Sequence, residues 1–365
     1  MSASLRKCMI WTSGLDDFLS GRGVVGGLTV QMHFWSRLFV SHGWQVESLT
    51  SHRENRDRSI GNIRFIWLPT PRFVAPVVEM FKILSVIISR PEVIIVRGAT
   101  RSLFMLSLFC RLFAVKLVVM FASDSDLCLG QELIARRSDK KLFEWGVRLC
   151  RRFICQNRNQ CELLKKNYHH RAASVVTIPN IWLDDACGKD SERRNILWVS
   201  NFRELKHPEA FLELAKAFPE EHFMMAGGFT QGECYKRSQK SAGDINNLEF
   251  LGPVSFEHSQ RLFRSAKLFV CTSDTEGFPN TFLQAFSNGI PVLTTFDPSD
   301  IVKAHGLGLV VRPGAQDELN SALNEMLNDP GKYEKYAGNA SAYFARRYSA
   351  EDAWRRLLEV SDLTC

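Results

Sequence analysis

Short apolar runs that alternate with helical stretches constrain the fold of this 365-residue chain more than any other feature. Residues 93–96, 116–122 and 268–271 are apolar along almost their whole length, as is typical of strands buried on both faces. Strands that are separated by helices form parallel sheets covered by helices on both sides. One common core rarely serves so long a chain, so we predict two α/β domains.

The same patterns place the elements of each predicted domain. A polar, turn-rich segment at 179–194 indicates the linker, so we predict Rossmann-like doubly wound domains at 1–185 and 186–345, followed by a C-terminal segment, 346–365. The predicted strands lie at 7–12, 45–50, 63–68, 93–96, 116–122, 153–156, 196–200, 223–226, 248–251, 268–271 and 291–295. The predicted helices lie at 28–42, 73–89, 102–114, 131–151, 208–217, 256–265 and 349–361.

Composition indicates in which cellular compartment the protein is expected. The ten cysteines show neither CxxC nor zinc-finger spacing, which favours reduced thiols in a cytoplasmic protein. The N-terminus has no pattern of a secretory signal. The apolar stretches 73–89 and 103–122 are interrupted by charged residues, so neither provides the roughly 20 apolar residues that cross a bilayer. We predict no transmembrane span.

Charge is distributed unevenly between the two halves. Residues 1–180 contain 26 Lys and Arg against 13 Asp and Glu, whereas residues 181–365 contain 20 against 26. A balance of +13 indicates an anionic partner for the first half, although solvated surface charge is an alternative. No nucleic-acid-binding motif accompanies the charge. In the predicted helix at 131–151 the basic residues alternate with apolar ones, which favours an anionic membrane surface.

A loop and helix at 273–295 carry the clearest candidate site. Glu276 is a lone carboxylate in the loop, and Gly277 lets the backbone approach a ligand closely. Pro279 suits the first helical position, so the N–H groups of the next residues would be open at the helix N-terminus. Such a place can bind a phosphate beside a polar ligand, but an ordinary loop-to-helix connection is the alternative. The open N–H groups would be those of Asn280, Thr281 and Phe282.

Further candidates follow predicted strands. Asp124 and Asp126 end the strand at 116–122, where they could bind a cation, contact a ligand or cap a helix. Turns and loops elsewhere contain glycine, amide or cationic side chains that could approach a ligand or could be plain βα connections. They are Gly26 and Gly27 in a glycine-rich loop that also holds Gly21 and Gly23, Asn201, Arg203 and Lys206, then Gly227 and Gly228, and Val254.

These motifs together resemble the retaining glycosyltransferases of family 4, a nucleotide-sugar-dependent group with the GT-B fold, and specifically its polysaccharide-assembly members. The resemblance is densest at 198–208 and 248–295 and implies two domains that face each other across a cleft. The family pattern has a second Glu eight positions after the first. Here that position is Gln284, which can hydrogen-bond a ribose hydroxyl but supplies no charge. The usual Arg position of the family is Asn201.

The resemblance implies roles for individual residues. Lys206 would bind the diphosphate, Glu276 would orient the sugar, and Asp124 would contact the sugar or the acceptor, with Asp126 second. The implied donor-binding residues are Gly26, Gly27, Asn201, Arg203, Gly227, Gly228, Val254, Gly277, Phe278, Pro279, Asn280, Thr281 and Gln284.

The implied activity is transfer of a sugar from a nucleoside diphosphate sugar to an acceptor hydroxyl, with retention of configuration and with no metal or other cofactor. A lipid-linked saccharide of a bacterial surface polysaccharide is the expected acceptor, and the enzyme would lie peripherally on the inner face of the plasma membrane. The C-terminal helix is expected to pack on the first domain. A nucleotide-sugar epimerase and a non-catalytic subunit of a polysaccharide assembly complex are the alternatives.

Overall fold

The computed structural model describes residues 6–12, 14–20, 26–55, 58–68, 75–132, 134–169, 174–183, 193–274, 276 and 278–363, with the backbone alone for 75–80. The chain forms two compact units. The first unit is Met1–Leu183 together with Ser349–Cys365, and the second unit is Asp184–Tyr348. The chain therefore returns to the first unit at its C-terminal end.

The first unit is built on one sheet of eight described strands. They are β1 (Lys7–Trp11), β2 (Gln45–Thr50), β3 (Ser59–Ile60), β4 (Ile63–Trp67), β5 (Val93–Arg97), β6 (Lys116–Met120), β7 (Arg152–Cys155) and β8 (Ser174–Thr177). Their order is β3-β4-β2-β1-β5-β6-β7-β8, and β3 is antiparallel to β4 while the other pairs are parallel. Because β2 and β5 flank β1, the strand order reverses between β1 and β5. That place is a topological switch point.

Helices cover this sheet on both faces. The connections from β4 through β8 all advance across the sheet in one direction, and parallel connections are right-handed. The four long helices on these connections therefore share one face, where Val86, Leu106, Phe143 and Leu164 belong to one buried apolar cluster. The helices are α1 (Leu15–Leu19), α2 (Gly27–Ser41), α3 (Ala75–Ser89), α4 (Leu103–Leu112), α5 (Arg137–Leu149) and α6 (Arg158–Tyr168).

The second unit contains a sheet of six described strands, all parallel. They are β9 (Asn195–Val199), β10 (His222–Ala226), β11 (Leu248–Gly252), β12 (Ala266–Cys271), β13 (Val292–Thr294) and β14 (Gly308–Val310). Their order is β11-β10-β9-β12-β13-β14, so the strand order reverses between β9 and β12. Central strands such as β9 and β12 are buried on both faces, which explains their continuous apolar sequence.

The helices of the second unit surround that sheet and create two apolar clusters, one on each side. Trp198 and Leu268 belong to one cluster, and Leu197 and Phe269 to the other, as the alternation of side chains along a strand requires. The helices are α7 (Pro208–Ala217), α8 (Glu233–Ala242), α9 (Phe256–Ser265), α10 (Asn280–Ser287), α11 (Ile301–His305), α12 (Gln316–Asn328) and α13 (Pro330–Arg347).

The last helix, α14 (Ala350–Ser361), belongs to the first unit. Its Trp354 ring stacks on the His42 ring with centroids 4.1 Å apart and meets the Phe39 ring edge-on at 5.0 Å. Just after the helix, the Asp362 carboxylate pairs with Arg152 at 2.7 Å. Aromatic burial therefore anchors the end of the chain on the first sheet.

Most predicted elements occur within a residue or two of their predicted ends, but one helix is shorter than predicted. The stretch predicted as a helix at 131–151 becomes helical only at Arg137. The Ile134 N–H group donates to the Glu132 carbonyl at 2.7 Å, and this tight turn uses backbone groups that a helix would need. The prediction was therefore wrong for the described residues 131, 132 and 134–136.

Candidate active site

The candidate site lies in the second unit, at the carboxyl ends of two neighbouring strands. β9 leads into a loop that ends in a single 3-10 turn, Glu204–Lys206, and β12 leads into the loop that holds Glu276. The Lys206 ammonium group and the Glu276 carboxylate form an ion pair. Both side chains are partly accessible, at 12% and 23%. Since the strand order reverses between β9 and β12, these groups flank the place where ligands bind in open α/β sheets.

Hydrogen bonds between the two loops fix the backbone on either side of Lys206. The Thr272 hydroxyl donates to the Lys206 carbonyl at 2.6 Å and accepts from the Trp198 indole N–H at 3.0 Å. The Asp274 N–H donates to the Leu205 carbonyl at 3.0 Å. The loop after β9 is thus held against the loop after β12, which preorganises the ammonium group beside the carboxylate.

Glu276 has a second partner. The Ser273 hydroxyl donates to its Oε1 atom at 3.1 Å, the oxygen that also contacts Lys206. A bound diphosphate would compete with Glu276 for the ammonium group and leave the carboxylate free to accept from sugar hydroxyls. Sequence reasoning assigned no role to Ser273 or Thr272, although both lie in the segment that directly follows β12.

A histidine next to Lys206 was also missed. His207 Nε2 lies 2.7 Å from Asp274 Oδ2, and its Nδ1 lies 2.7 Å from Glu209 Oε1. The hydrogen bond to Asp274 raises the pKa of His207, and burial opposes this only in part. His207 therefore adds a pH-dependent contact between the same two loops. The signal in the sequence was the position of a histidine between Lys206 and the helix-starting Pro208.

The N-terminus of α10 differs from its prediction in two details. The helix begins at Asn280, and Pro279 precedes it as the N-cap with an extended backbone, so Pro279 is not the first helical residue. The Phe282 N–H group donates to the Pro279 carbonyl at 3.1 Å, so it is not open to a ligand as expected. The tight cap uses it internally. Thr281 lies in the first turn, as predicted, and Gly277 lies outside the described residues.

Gln284 and Phe278 are placed by packing. Gln284 is 4% exposed, and its amide nitrogen donates to the Ser259 hydroxyl at 3.3 Å and the Gln260 side chain at 3.1 Å. These bonds join α10 to α9, so a ribose contact would use the Gln284 carbonyl oxygen. Phe278 is partly buried and packs near the Tyr348 ring, with centroids 6.0 Å apart.

The remaining predicted donor residues of the second unit lie around the same end of the sheet. A Cβ atom on Gly227 would stand 1.6 Å from the Ser200 carbonyl oxygen, so this glycine is required by the close approach of two strand ends. The Gly228 carbonyl accepts from the Phe202 N–H group at 3.0 Å. The Arg203 guanidinium lies 4.9 Å from the Phe229 ring centroid. Asn201 and Val254 follow β9 and β11 and are half-buried.

In the first unit, the two predicted aspartates have separate partners. Asp126 caps a short turn by accepting from the Ala122 and Ser123 N–H groups at 2.7 and 3.2 Å, and burial raises its pKa. Asp124 Oδ2 accepts from the Asn159 amide at 2.6 Å, and its buried Oδ1 has no hydrogen-bond partner among the described residues. Asp126 therefore stabilises the fold, and Asp124 joins this turn to α6 through Asn159.

Sequence reasoning missed a buried cation at the end of β5. Arg97 is 8% exposed, and its Nη2 atom donates to the Asn180 side chain at 2.5 Å. Burial lowers the pKa of Arg97 to about 10, and the negative charge of Asp126 opposes that shift. The burial of Arg97 could not be predicted, because an arginine at the end of an apolar strand has the same appearance in sequence whether it is buried or exposed.

Two further placements complete the first unit. Gly26 is the N-cap of α2 and Gly27 its first residue, whereas Gly21 and Gly23 lie outside the described residues. Across the part of the chain that the structure describes, one group of side chains has the spacing of metal ligands, with its ligand atoms within 4.8 Å of one another: Asp16, Asp17 and His52. Asp16 already accepts hydrogen bonds from Thr50 and Asn55, which accounts for its burial.

One family model matches a segment that lies almost entirely in the second unit. Residues 183–343 match the family described as Glycosyl transferases group 1. This match includes both Lys206 and Glu276, and therefore the whole candidate site of the second unit.

Curated relatives give the same indication at low identity. The O-antigen biosynthesis glycosyltransferase WbnH of Escherichia coli is 24% identical over 191 residues, which are 52% of this chain and 54% of that protein. The alpha-galactosylglucosyldiacylglycerol synthase of Streptococcus pneumoniae is 28% identical over 227 residues, with 51% of this chain and 59% of that protein covered. The chain thus spans little more than half the length of these relatives.

Solved structures share the fold along nearly the whole chain. HepE of Anabaena, solved in complex with UDP-glucose, matches with a TM-score of 0.73 and 15% identity over 98% of this chain and 100% of that one. WaaG, a glycosyltransferase involved in lipopolysaccharide biosynthesis, matches with a TM-score of 0.69 and 14% identity over 97% and 99%. The predicted fold class, two parallel-sheet α/β domains of the GT-B type, is confirmed.

Residues 183–343 are thus similar to glycosyl transferases group 1, and the chain has the GT-B fold. Membership of family 4, retention of configuration and the assignment of individual site residues stay predictions.

Proposed function

We propose that this protein transfers a sugar from a nucleoside diphosphate sugar to an acceptor hydroxyl. The observation that carries the proposal is the ion pair between Lys206 and Glu276 at the topological switch point of the second sheet. It lies within the segment that matches glycosyl transferases group 1. One cation for a diphosphate and one carboxylate for sugar hydroxyls are the two groups that binding of such a donor requires.

The proposed reaction retains the configuration at the anomeric carbon. The acceptor hydroxyl attacks on the face from which the diphosphate departs, and a phosphate oxygen takes its proton, so no separate base is needed. Lys206 stabilises the negative charge that develops on the leaving diphosphate, and the N-terminus of α10 adds its dipole. Glu276 orients the sugar, and Asp124 contacts the sugar or the acceptor. The reaction as proposed uses no metal and no other cofactor.

The proposed acceptor is a lipid-linked saccharide of a bacterial surface polysaccharide. Two observations support it. The names of two relatives concern O-antigen and a glycolipid, and the first half of the chain has a charge balance of +13, from 26 basic and 13 acidic residues. We propose a cytoplasmic, peripheral position on the inner face of the plasma membrane, next to such an acceptor. None of the described helices combines the length and apolar content needed to cross a bilayer.

A donor screen tests this proposal. The protein is incubated with radiolabelled UDP- and GDP-sugars and a membrane extract, and the lipid fraction is counted. We expect label from one donor to enter that fraction, and the coupling constant of the anomeric proton in the purified product to show retention. An inverted anomeric centre would reject the proposed mechanism, and absence of transfer from every donor would reject the proposed function.

A non-catalytic subunit is the second candidate, because two positions depart from the family pattern. Asn201 replaces the usual Arg, and Gln284 replaces the second Glu and is engaged by α9. Tight binding of a nucleotide without turnover of any donor would favour this candidate. Conversion of a donor to its epimer in the absence of an acceptor would instead indicate an epimerase.

A further inference from the structure

Three helices of the first unit expose apolar side chains on their outer faces. α3, α4 and α5 cover one face of the first sheet, where α4 packs between the other two. Such exposure is unusual, because a soluble surface rarely presents several large apolar residues together. We define the outer surface by Leu84, Ile87 and Ile88 of α3, Met105, Leu108 and Leu112 of α4, Phe113, and Trp145 of α5.

The spacing shows that these residues form stripes. In α4, Leu103, Leu106 and Phe109 are buried against the sheet, whereas the exposed residues recur at positions 105, 108 and 112. Leu84, Ile87 and Ile88 have the relation i, i+3, i+4 on α3, which also places them on one helical face. Leu112 is 80% exposed and Ile88 is 75% exposed. A second apolar face on a helix that already contributes to a core needs an apolar environment of its own.

Cations accompany the outer surface. On α5, Arg137, Lys141 and Arg148 share a helical face with Trp145, and all are exposed. The Trp145 ring lies 5.9 Å from that of Phe104, so this basic face adjoins α4. Arg111 is exposed beside Leu112. Within the described ranges, no ion pair involves Arg111, Arg137 or Lys141, so their charges are available to an external anion.

The exposed apolar side chains and the cations beside them together indicate what binds to the outer surface. Exposed leucine, isoleucine and tryptophan beside arginine and lysine are the composition of helices that lie in the interface of an anionic bilayer. There the apolar side chains enter the acyl boundary, and the cations contact the phosphates. The helices have 15, 10 and 13 residues, too short to cross the bilayer and long enough to lie along it.

We propose that the outer surface of α3, α4 and α5 is the membrane-docking surface of this protein and binds anionic phospholipid head groups. This inference rests on the proposed function for its purpose, since a lipid-linked acceptor would be presented at the same bilayer. It does not depend on that function for its test, because binding to vesicles needs neither donor nor acceptor.

Sedimentation with vesicles tests the docking surface. We expect the full chain to bind vesicles of phosphatidylglycerol and phosphatidylcholine, and to bind vesicles of phosphatidylcholine alone at least tenfold more weakly. The double variants Leu112→Ser with Trp145→Ser, and Arg137→Ser with Lys141→Ser, should each lower the partition coefficient on anionic vesicles at least tenfold. High salt should weaken the binding of the wild type to anionic vesicles. It should have less effect on the binding of the variant with Arg137→Ser and Lys141→Ser.

A matched control separates this surface from general charge. Lys236 and Lys240 are exposed on α8 of the second unit, and Lys236→Ser with Lys240→Ser should bind vesicles like the wild type. Circular dichroism confirms that every variant is folded, which is expected because all substituted side chains are exposed. Equal binding of docking-surface and control variants would overturn the proposal. Absence of binding of the wild type to anionic vesicles would also overturn it. This includes the case in which the wild type forms a dimer that Leu112→Ser abolishes.

The outcomes also distinguish this inference from the proposed function. Vesicle binding without transfer from any donor would leave the docking surface intact and reject the enzyme. Sugar transfer without vesicle binding would support the enzyme and reject the docking surface.

Discussion

The two sheets reverse their strand order in the same way, but the charged groups at the two switch points differ. At the second sheet, Lys206 and Glu276 come from two loops that are hydrogen-bonded to each other, and both side chains stay partly accessible. At the first sheet, Arg97 is buried beside Asp126 and Asn180. The topology is the same at both places, so topology alone does not decide which switch point can bind a ligand. Accessible charges with opposite signs can be shared with a ligand, whereas buried ones are committed to the fold.

The largest expected effect comes from removing the accessible carboxylate. Glu276→Gln keeps the size of the side chain but loses its charge, so it binds the sugar hydroxyls and Lys206 less well. We expect transfer to fall by about 10²- to 10³-fold, with an unchanged unfolding midpoint. The measurement is kcat/KM for the donor. Glu257→Gln, on the exposed face of α9, is the matched control and should keep wild-type activity.

The next largest effect concerns the buried charge at the switch point of the first sheet. Arg97→Met removes a buried cation and leaves Asp126 without its positive neighbour, so the first unit should lose about 3 kcal/mol of stability. Urea unfolding measures the loss, and Arg58→Met, at an exposed position, is the control. If Arg97 were instead a ligand-binding residue, the variant would keep its midpoint and lose donor or acceptor affinity.

The smallest expected effect is a pH dependence of stability that comes from His207, beside the switch point of the second sheet. The pKa of His207 is raised in the folded state by Asp274, so protonated His207 stabilises the fold. This contribution is fully present below the unfolded pKa, about 6.5, and it is lost as the pH rises through the higher folded pKa. His207 is partly exposed, so the change should stay below about 1 kcal/mol. His207→Gln should remove this pH dependence, which a series of urea titrations from pH 5 to 9 would reveal.

Much of this molecule follows from sequence, because parallel strands buried on both faces leave continuous apolar runs. Strand β2 and helices α7 and α9 occupy their predicted residues. Local hydrogen-bond competition explains the main errors. The Ile134 N–H group bonds to the Glu132 carbonyl before α5 begins, and the cap formed by Pro279 uses the Phe282 N–H group.

The site was only partly predictable for a related reason. Lys206 and Glu276 stand 70 positions apart in the chain, and their contact depends on the pairing of β9 with β12. The supporting bonds of Thr272 and Ser273 are equally dependent on that pairing. The outer faces of α3 and α4 gave no signal, since an apolar residue has the same appearance in a sequence whether it faces the core or the solvent.

The most direct test of the central claim is calorimetric titration of UDP and GDP into the wild type, Lys206→Ala and Lys216→Ala. Lys216 is an exposed lysine on α7 that pairs with Glu213, so it controls for lost charge. We predict that one of the two nucleotides binds the wild type and Lys216→Ala with equal affinity, and binds Lys206→Ala at least tenfold more weakly. Equal affinity for all three proteins would contradict the placement of the donor diphosphate at the switch point of the second sheet.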